Sequence, residues 1–538
     1  MTVPPDDDTT GRFATRLELK AGRVLRCFVH RPASLPAMFG DAVARNPQGE
    51  ALIDAHFRMC WRELDAAVQR FAARLRAIGV SPGDRVASLM ANRAEYVIVA
   101  WAVWHCGAVF VPIDVREPAE AVKQRLQHCG AAVLIRDEDL ADRVPRPAQA
   151  PALPCVLPSS AALEPAAGST DQGPGPAPVV RRDDGAALLY TSGTSGRPKA
   201  VLLSHDNIVH SAMHFEWGFG LSPTERALVV APLTHVTGLV SHVAAMARCG
   251  GALVVQREFV VERFLETMAR EAITYAALVP AMYRLVLLRG DLAAHDLSHW
   301  RLGAFGGAPM PVETIEALAQ RLPTLSLVNG YGATETAAPA VLTRPGEVLR
   351  QPGSVGRAAA CAEVAVMSEH GLECPPGELG EVWIRGPMVA TGYWEDAPAT
   401  AAAFSDGYWH SGDLGFKDAQ QRVHIVDRLH DVINRGGYKI ASVEVEAVIN
   451  SYPGVLESAL VAQACPVLGQ RAHAYVAWQA GPPDSDGLRA HCLARLADYK
   501  LPDGFTHQTE PLPRNANGKL QKGPLRAALG GTGPGIHG

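Results

Sequence analysis

Between Tyr190 and Lys199 the chain reads Tyr-Thr-Ser-Gly-Thr-Ser-Gly-Arg-Pro-Lys, bounded by the apolar runs Ala186 to Leu189 before and Ala200 to Leu203 after. This is the chemistry of a phosphate clamp. Gly193 and Gly196 let backbone approach an anion, Thr191, Ser192, Thr194 and Ser195 offer hydroxyl donors, and Lys199 adds a mobile positive charge. The ligand such a loop suits is a nucleoside triphosphate. It is not a Walker loop, because Gly-x-x-x-x-Gly-Lys-Ser/Thr cannot be fitted and the residues after Lys199 read as an apolar strand, not a helix start.

Other polar segments supply what a triphosphate needs. Asn329-Gly330-Tyr331-Gly332-Ala333-Thr334-Glu335 follows the apolar run Leu325 to Val328, which places it at the C-terminal end of a strand, where open α/β sheets hold their ligands. There Glu335 can bind a hard cation such as Mg2+ through carboxylate oxygen, and Thr334 can donate to a phosphate. Asp413 lies in Tyr408-Trp409-His410-Ser411-Gly412-Asp413, after a turn at Asp406-Gly407 and before the run Arg422 to Val426. A carboxylate on such a hairpin can accept from both hydroxyls of a ribose.

These segments, with Asp427-Arg428-Leu429-His430-Asp431 and Pro513-Arg514-Asn515-Ala516-Asn517-Gly518-Lys519, follow one another in an order and spacing that resembles the adenylate-forming superfamily. That superfamily includes acyl-CoA synthetases, adenylation domains of peptide synthetases and luciferases. The resemblance runs from about residue 35 to 525. It implies an α/β chain: a large N-terminal domain of two αβα-layered subdomains plus a small β-barrel, and a small mobile α+β C-terminal domain. By the same resemblance Glu335 is the Mg2+ ligand, Asp413 the ribose acceptor and Arg428 a cation near ribose and α-phosphate. Gly306-Gly307-Ala308, after the apolar Leu302 to Phe305, resembles the adenine-contacting turn. His235, in Leu233-Thr234-His235-Val236-Thr237-Gly238, resembles the residue bordering the carboxylate pocket. Three positions depart from the pattern: Ala200 for Gly after the loop lysine, His430 for the usual Asp or Lys of the hinge, and Ser442 where Pro is common.

Composition is compatible with a large enzyme. At roughly 150 residues per domain, 538 residues make three or four globular units, and 48% hydrophobic against 20% charged residues suffices for sizeable cores. A formal net charge of −5 gives no basic footprint for nucleic acid. The ten cysteines show no Cys-x-x-Cys and no metal-ligand spacing, so they read as reduced thiols of a cytoplasmic protein. Met1 to Thr10 is acidic and polar, unlike a signal peptide, and no run approaches about 18 uninterrupted apolar residues.

The elements that must position the site are legible in part. Helical spacing over 64 to 78, a strand over 84 to 90, a helix over 96 to 106 and a strand over 108 to 112 give the alternation of a parallel α/β sheet. Residues 144 to 180, rich in Pro, Ala, Gly and Ser, read as a mobile connection. Division is expected as a domain over 1–427, a hinge at 428–430 and a lid over 431–538. In the lid Ser442 is expected to cap a helix with Glu444 and Glu446 in its first turn and Val445, Val448 and Ile449 on its apolar face.

The resemblance implies two half-reactions. A substrate carboxylate attacks the α-phosphate of ATP, with Lys519 bridging the developing charge; then the lid turns about the hinge and a thiol displaces AMP. Gly436-Gly437-Tyr438-Lys439 would line the thiol tunnel. The expected acceptor is CoA, since the chain ends soon after Lys519; a separate carrier protein, another nucleophile, and a non-catalytic adenylate sensor are the alternatives. The protein is expected as a monomer or homodimer. The expected acid is an apolar or aromatic monocarboxylate, because no Asp or Lys is placed for an amino acid near His214, Phe215, Trp217 or Val236 to Leu239.

Overall fold

The computed structural model describes residues 11–20, 22–144, 155–164, 177–191, 199–479, 483–514 and 520–530. The chain divides into two compact units, Met1–Val364 with Trp383–His410, and Ala365–Val382 with Ser411–Gly538.

The first unit is built on two sheets. The six-stranded sheet runs Lys199–Ser204, Gly185–Thr191, Val109–Ile113, Arg85–Leu89, Ala131–Arg136, Cys155–Pro158, and is parallel except for its first pair. The nine-stranded sheet runs Arg357–Ala358, Ala338–Leu342, Ser326–Ala333, Leu302–Phe305, Tyr275–Leu278, Arg226–Val229, Ala252–Val255, Glu50–Ile53, Arg58–Cys60. Its middle is parallel and its outer strands antiparallel. Parallel strands need crossovers, and helices supply them on both faces.

One core is shared by the facing sides of both sheets. At its centre Ala94–His105 is buried on every side, which its all-round apolar sequence, with Trp101 and Trp104 stacked edge to face at 4.8 Å, requires. The far face of the nine-stranded sheet is covered by Val261–Arg270, Pro280–Arg289 and Val312–Arg321, and that of the six-stranded sheet by Ala119–Cys129. This is the expected α/β class.

The helix and strand expected between 64 and 112 are present as Trp61–Ala77, Arg85–Leu89, Ala94–His105 and Val109–Ile113. The stretch 144 to 180 differs from its reading as mobile connection throughout: Cys155–Pro158 is an edge strand pairing in parallel with Val133 to Arg136. Four residues are too few for a periodicity to show, and each pairs with a residue 22 positions earlier.

In the second unit the sheet order is Tyr438–Ile440, Ile433–Arg435, Gly469–Trp478, Val455–Cys465, with Gly504–Gln508 added in parallel to Gly469–Trp478. Strict alternation feeds two cores: Leu460, Ala474 and Val476 face Ser442–Asn450 and Ser485–Leu493, while Ala459, Val461 and Tyr475 face Lys522–Gly530. Ser442 is not the cap of its helix but its first residue. The cap is the carboxylate of Asp427, which accepts from the Ser442 N–H, while Ser442 Oγ accepts from Lys522 Nζ at 2.6 Å. Glu446 is likewise not a solvated first-turn charge. It pairs with Lys522 at 2.7 Å and accepts from Leu460 N–H at 2.7 Å, and burial raises its carboxyl. Sequence spacing could not show either partner, since both come from distant strands and helices.

Among the described residues no helix is long and apolar enough to cross a membrane.

Candidate active site

Two neighbouring strand ends of the nine-stranded sheet gather the residues expected to meet adenine and the cation. Leu302–Phe305 and Ser326–Ala333 run parallel, so Gly306-Gly307-Ala308 emerges beside Gly330. A Cβ on Gly306 would lie 2.5 Å from the Gly330 carbonyl oxygen, and Gly307 has φ 76°, which accounts for glycine at both places. Asn329 and Tyr331 belong to the same strand, with Asn329 N–H donating to Thr343 Oγ1 at 2.6 Å. After Gly332 the chain turns sharply through Thr334–Thr336. Ala337 and Ala338 both take positive φ, 50° and 92°, before the return strand. Left-handed backbone at two successive alanines costs energy and marks a site where geometry is over-determined. A Cβ on Gly332 would lie 2.0 Å from the Ala338 carbonyl, so this tight reversal also demands glycine.

The turn presents Thr334 and Glu335. Thr334 Oγ1 is buried and has no hydrogen-bond partner among the described residues. Such a hydroxyl is a donor waiting for an acceptor. Glu335 is buried, accepts from the Tyr393 hydroxyl at 2.8 Å, and its carbonyl accepts from Ala390 N–H at 2.8 Å. Burial first, and then the Glu335 charge, push the Tyr393 phenol well above its ordinary value, so it stays a donor. Among the described residues no group of three His, Cys, Asp or Glu side chains gathers to cage a metal. One carboxylate beside an orphan hydroxyl nevertheless suits Mg2+, which takes most of its ligands from phosphates and water.

Thr191 and Lys199 face each other across an antiparallel pair, at the two ends of the segment expected to hold phosphate. Ser192, Gly193, Thr194, Ser195 and Gly196 lie outside the described residues. Lys199 Nζ sits 4.7 Å from the centroid of the Tyr393 ring. Lys199, Tyr393 and Glu335 thus form a continuous chain of contacts. Tyr393 was not singled out from sequence, where Gly392-Tyr393 carries no signal beyond a turn.

His235 precedes the short helix Val236–Gly238, and its Nε2 lies 3.5 Å from Asp114 Oδ2. Asp114 directly follows the strand Val109–Ile113 and is gripped by Arg116 at 2.9 and 2.6 Å. Burial opposes the charge, yet Arg116 and His235 together hold the Asp114 carboxyl below the usual carboxylate range. An acidic residue at the C-terminal end of a parallel strand was a signal available in sequence. His214, Phe215 and Trp217 lie on His205–Phe219, which is buried along its whole length. His214 Nε2 accepts from Cys361 N–H at 3.2 Å, Phe215 meets Phe219 edge to face at 5.5 Å, and Arg344 covers the Trp217 ring at 4.3 Å.

In the second unit Asp413 and Arg428 are paired residues of an antiparallel hairpin, with Asp413 Oδ1 2.9 Å from Arg428 Nε. Arg428 also donates to the Ser411 carbonyl at 3.1 Å. The pair presents a carboxylate and a guanidinium together. Gly436 and Gly437 have φ 59° and 94° and form the two-residue turn between Ile433–Arg435 and Tyr438–Ile440. Positive φ at both positions explains both glycines, and a Cβ on Gly437 would meet nothing within 4 Å. Tyr438 is exposed and stacks on Tyr499 at 4.7 Å; Lys439 is exposed beside it. At the expected hinge Arg526 pairs with Asp431 and donates to the His430 carbonyl at 3.2 Å. Lys519 lies outside the described residues.

Residues 39–394 match the model of the AMP-binding enzyme family, and residues 444–519 that of the AMP-binding enzyme C-terminal domain. The chain is 34% identical over 488 residues to a feruloyl-CoA synthase of Amycolatopsis sp, covering 90% of this chain and 97% of that protein. It is 30% identical over 478 residues to the 2-succinylbenzoate–CoA ligase of Bacillus licheniformis, covering 88% and 96%. Among solved structures, the o-succinylbenzoate CoA synthetase of Bacillus subtilis in complex with its acyl-adenylate intermediate superposes with a TM-score of 0.83 at 28% identity, over 93% of this chain and 99% of that one. With a family match over most of its length and relatives aligned nearly end to end, the chain belongs to the AMP-binding family of adenylate-forming enzymes and is of its acyl-CoA synthetase type.

Proposed function

We propose that this protein activates an apolar or aromatic monocarboxylic acid with ATP and transfers the acyl group to the thiol of CoA. What supports this reading is the contact chain Lys199–Tyr393–Glu335 beside the Thr334 hydroxyl, unpartnered among the described residues, an arrangement whose charges and donors suit a polyphosphate and its cation. The relatives named for feruloyl and 2-succinylbenzoyl thioesters support an aromatic acid.

In the first half-reaction a carboxylate oxygen attacks the α-phosphorus and the pyrophosphate departs. Lys199 and the loop Ser192 to Gly196 hold the departing phosphates, and Thr334 Oγ donates to the α-phosphate. Glu335 would hold Mg2+, which when bound offsets phosphate charge. That a magnesium ion accompanies ATP is supported by a further structure of the Bacillus subtilis synthetase in complex with ATP and magnesium ion. Gly306-Gly307-Ala308 and the strand Asn329 to Gly332 give the adenine a flat backbone wall, Asp413 accepts from the ribose hydroxyls, and Arg428 adds fixed positive charge. Lys519 bridges the α-phosphate and the acyl oxygen as charge builds. His235, held by Asp114, borders the carboxylate.

In the second half-reaction the thiol attacks the acyl carbon and AMP leaves. The large domain 1–427 and the lid 431–538 would change orientation about 428–430, which brings Gly436-Gly437-Tyr438-Lys439 to the thiol and withdraws Lys519. The ten cysteines, none in a disulfide, support a cytoplasmic protein.

Pyrophosphate release measured across a panel of fatty, aromatic, dicarboxylic and amino acids tests the substrate class. Aromatic or fatty monocarboxylates are expected to lead; preferential turnover of amino acids would overturn the reading. In the same assay, free CoA is expected to accept the acyl group, and acceptance only by a phosphopantetheinylated carrier protein would overturn that part.

A further inference from the structure

Tyr393 is held by its own local contacts and by the strand that begins at Lys199. Its N–H donates to Thr400 Oγ1 at 2.9 Å, its backbone forms an antiparallel bridge with Val201, and its ring meets Phe404 edge to face at 5.6 Å. Gly392 before it has no room for a side chain, since a Cβ would fall 2.5 Å from Thr400 Cγ2. The segment is also tied on two sides. Ala390 N–H donates to the Glu335 carbonyl and Trp394 N–H to the Ala200 carbonyl, each at 2.8 Å. One short segment therefore hydrogen-bonds to the turn that carries Glu335 and to the residue after Lys199. Between those anchors the Tyr393 side chain makes two polar contacts of different kinds: its hydroxyl donates to Glu335 Oε1 at 2.8 Å, and its ring face receives Lys199 Nζ at 4.7 Å.

We propose that Tyr393 is a positioning residue for carboxylate activation: its hydroxyl aims the Glu335 carboxylate and its ring face anchors Lys199, so one side chain sets the spacing between the cation ligand and the foot of the phosphate loop. This rests on the polyphosphate reading of the site given above. The two contacts are separable by substitution. Tyr393→Phe keeps the ring and removes the donor, whereas Tyr393→Leu removes both. The lost hydrogen bond goes to a charged acceptor, for which a change of about tenfold is ordinary; a partly exposed cation–π contact accounts for about threefold.

The experiment compares wild type, Tyr393→Phe, Tyr393→Leu, Glu335→Gln and the Glu335→Gln/Tyr393→Phe double variant. Three quantities are read: the Mg2+ concentration for half-maximal pyrophosphate release, ATP affinity in EDTA by calorimetry, and the thermal midpoint. Tyr393→Phe is expected to raise the Mg2+ requirement by about three- to tenfold with ATP affinity in EDTA and the thermal midpoint unchanged. Tyr393→Leu is expected to weaken ATP binding in EDTA by about threefold as well. In the Glu335→Gln background the Phe substitution is expected to add nothing, because its target is already altered. An unchanged Mg2+ requirement in Tyr393→Phe, or effects that multiply in the double variant, overturns the proposal. Failure of the underlying reading looks different: Glu335→Gln alone would then leave the Mg2+ requirement where it was.

Discussion

Thr334 is the residue whose surroundings say most about chemistry. A buried hydroxyl with no partner among the described residues costs stability unless a ligand satisfies it. Thr334→Val keeps the shape and removes the group. The folded apoprotein is therefore expected to be as stable as wild type, or more stable by up to about 1 kcal/mol, in urea titration. Pyrophosphate release is expected to fall by about tenfold or more. A loss of stability that matches the loss of activity would show that the hydroxyl serves the fold. His214 teaches the opposite lesson. Its lone pair is already used by Cys361 N–H and its ring by Phe28 at 5.5 Å, so a histidine in an expected pocket segment is here a packed one.

At the scale of elements, the second unit carries the groups that the proposed mechanism uses at different times. Asp413 and Arg428 are fixed together on a hairpin, whereas Gly436 and Gly437 occupy a separate turn. If the lid works in two orientations, substitutions in it should separate the half-reactions. Lys519→Ala is expected to slow adenylate formation by at least about a hundredfold, the usual effect of one lost charge stabiliser, and to spare thioester formation from supplied adenylate. Gly437→Trp is expected to do the reverse, although positive φ at that position adds local strain to the bulk. Single-turnover measurement of each step decides; equal slowing of both steps by both variants would refute the two-orientation account. The expected hinge is not a bare linker. Arg526, from the last helix, holds Asp431 and the His430 carbonyl, and Asp427 caps the helix at Ser442, so any rotation must occur between or break these contacts.

For the whole molecule, the first unit buries an unusual set of neutral imidazoles. Burial pushes His205, His210 and His242 down to about 4 and His214 to about 3. An unfolded chain protonates each near pH 6.5, while the native state cannot until pH reaches about 4. The unfolded state therefore binds more protons throughout that window, and unfolding free energy is expected to fall with decreasing pH between about 6.5 and 4, by roughly 1.4 kcal/mol per pH unit for each histidine. Carboxylates act lower: Glu18 beside Arg31, and Asp418 beside Arg422, each held at about 2, lose their contribution only below about pH 4. Equilibrium urea unfolding from pH 7.5 to 5 checks this, and a flat profile would show that the imidazoles stay solvated.

The sequence by itself determined the family, the α/β class and most of the residues now seen at the strand ends. The reason is that tight reversals and close backbone approaches demand particular residue types at fixed spacing: glycine at 306, 307 and 332, and the Thr334-Glu335 pair immediately after a strand. Partners far apart in the chain were not legible. Tyr393 reaches Glu335 from 58 positions away, Asp114 reaches His235 across the space between a strand end and a helix start, and Asp427 caps a helix 15 positions on. No local pattern encodes such contacts, because they exist only once the sheets and helices have brought separate stretches together. Tertiary structure also decided which polar residues are spent on packing, as with His214 and Glu446, and which, like Thr334, are left without a partner among the described residues. A side chain's type sets what it can bind, but only burial and neighbours settle whether that capacity is already used.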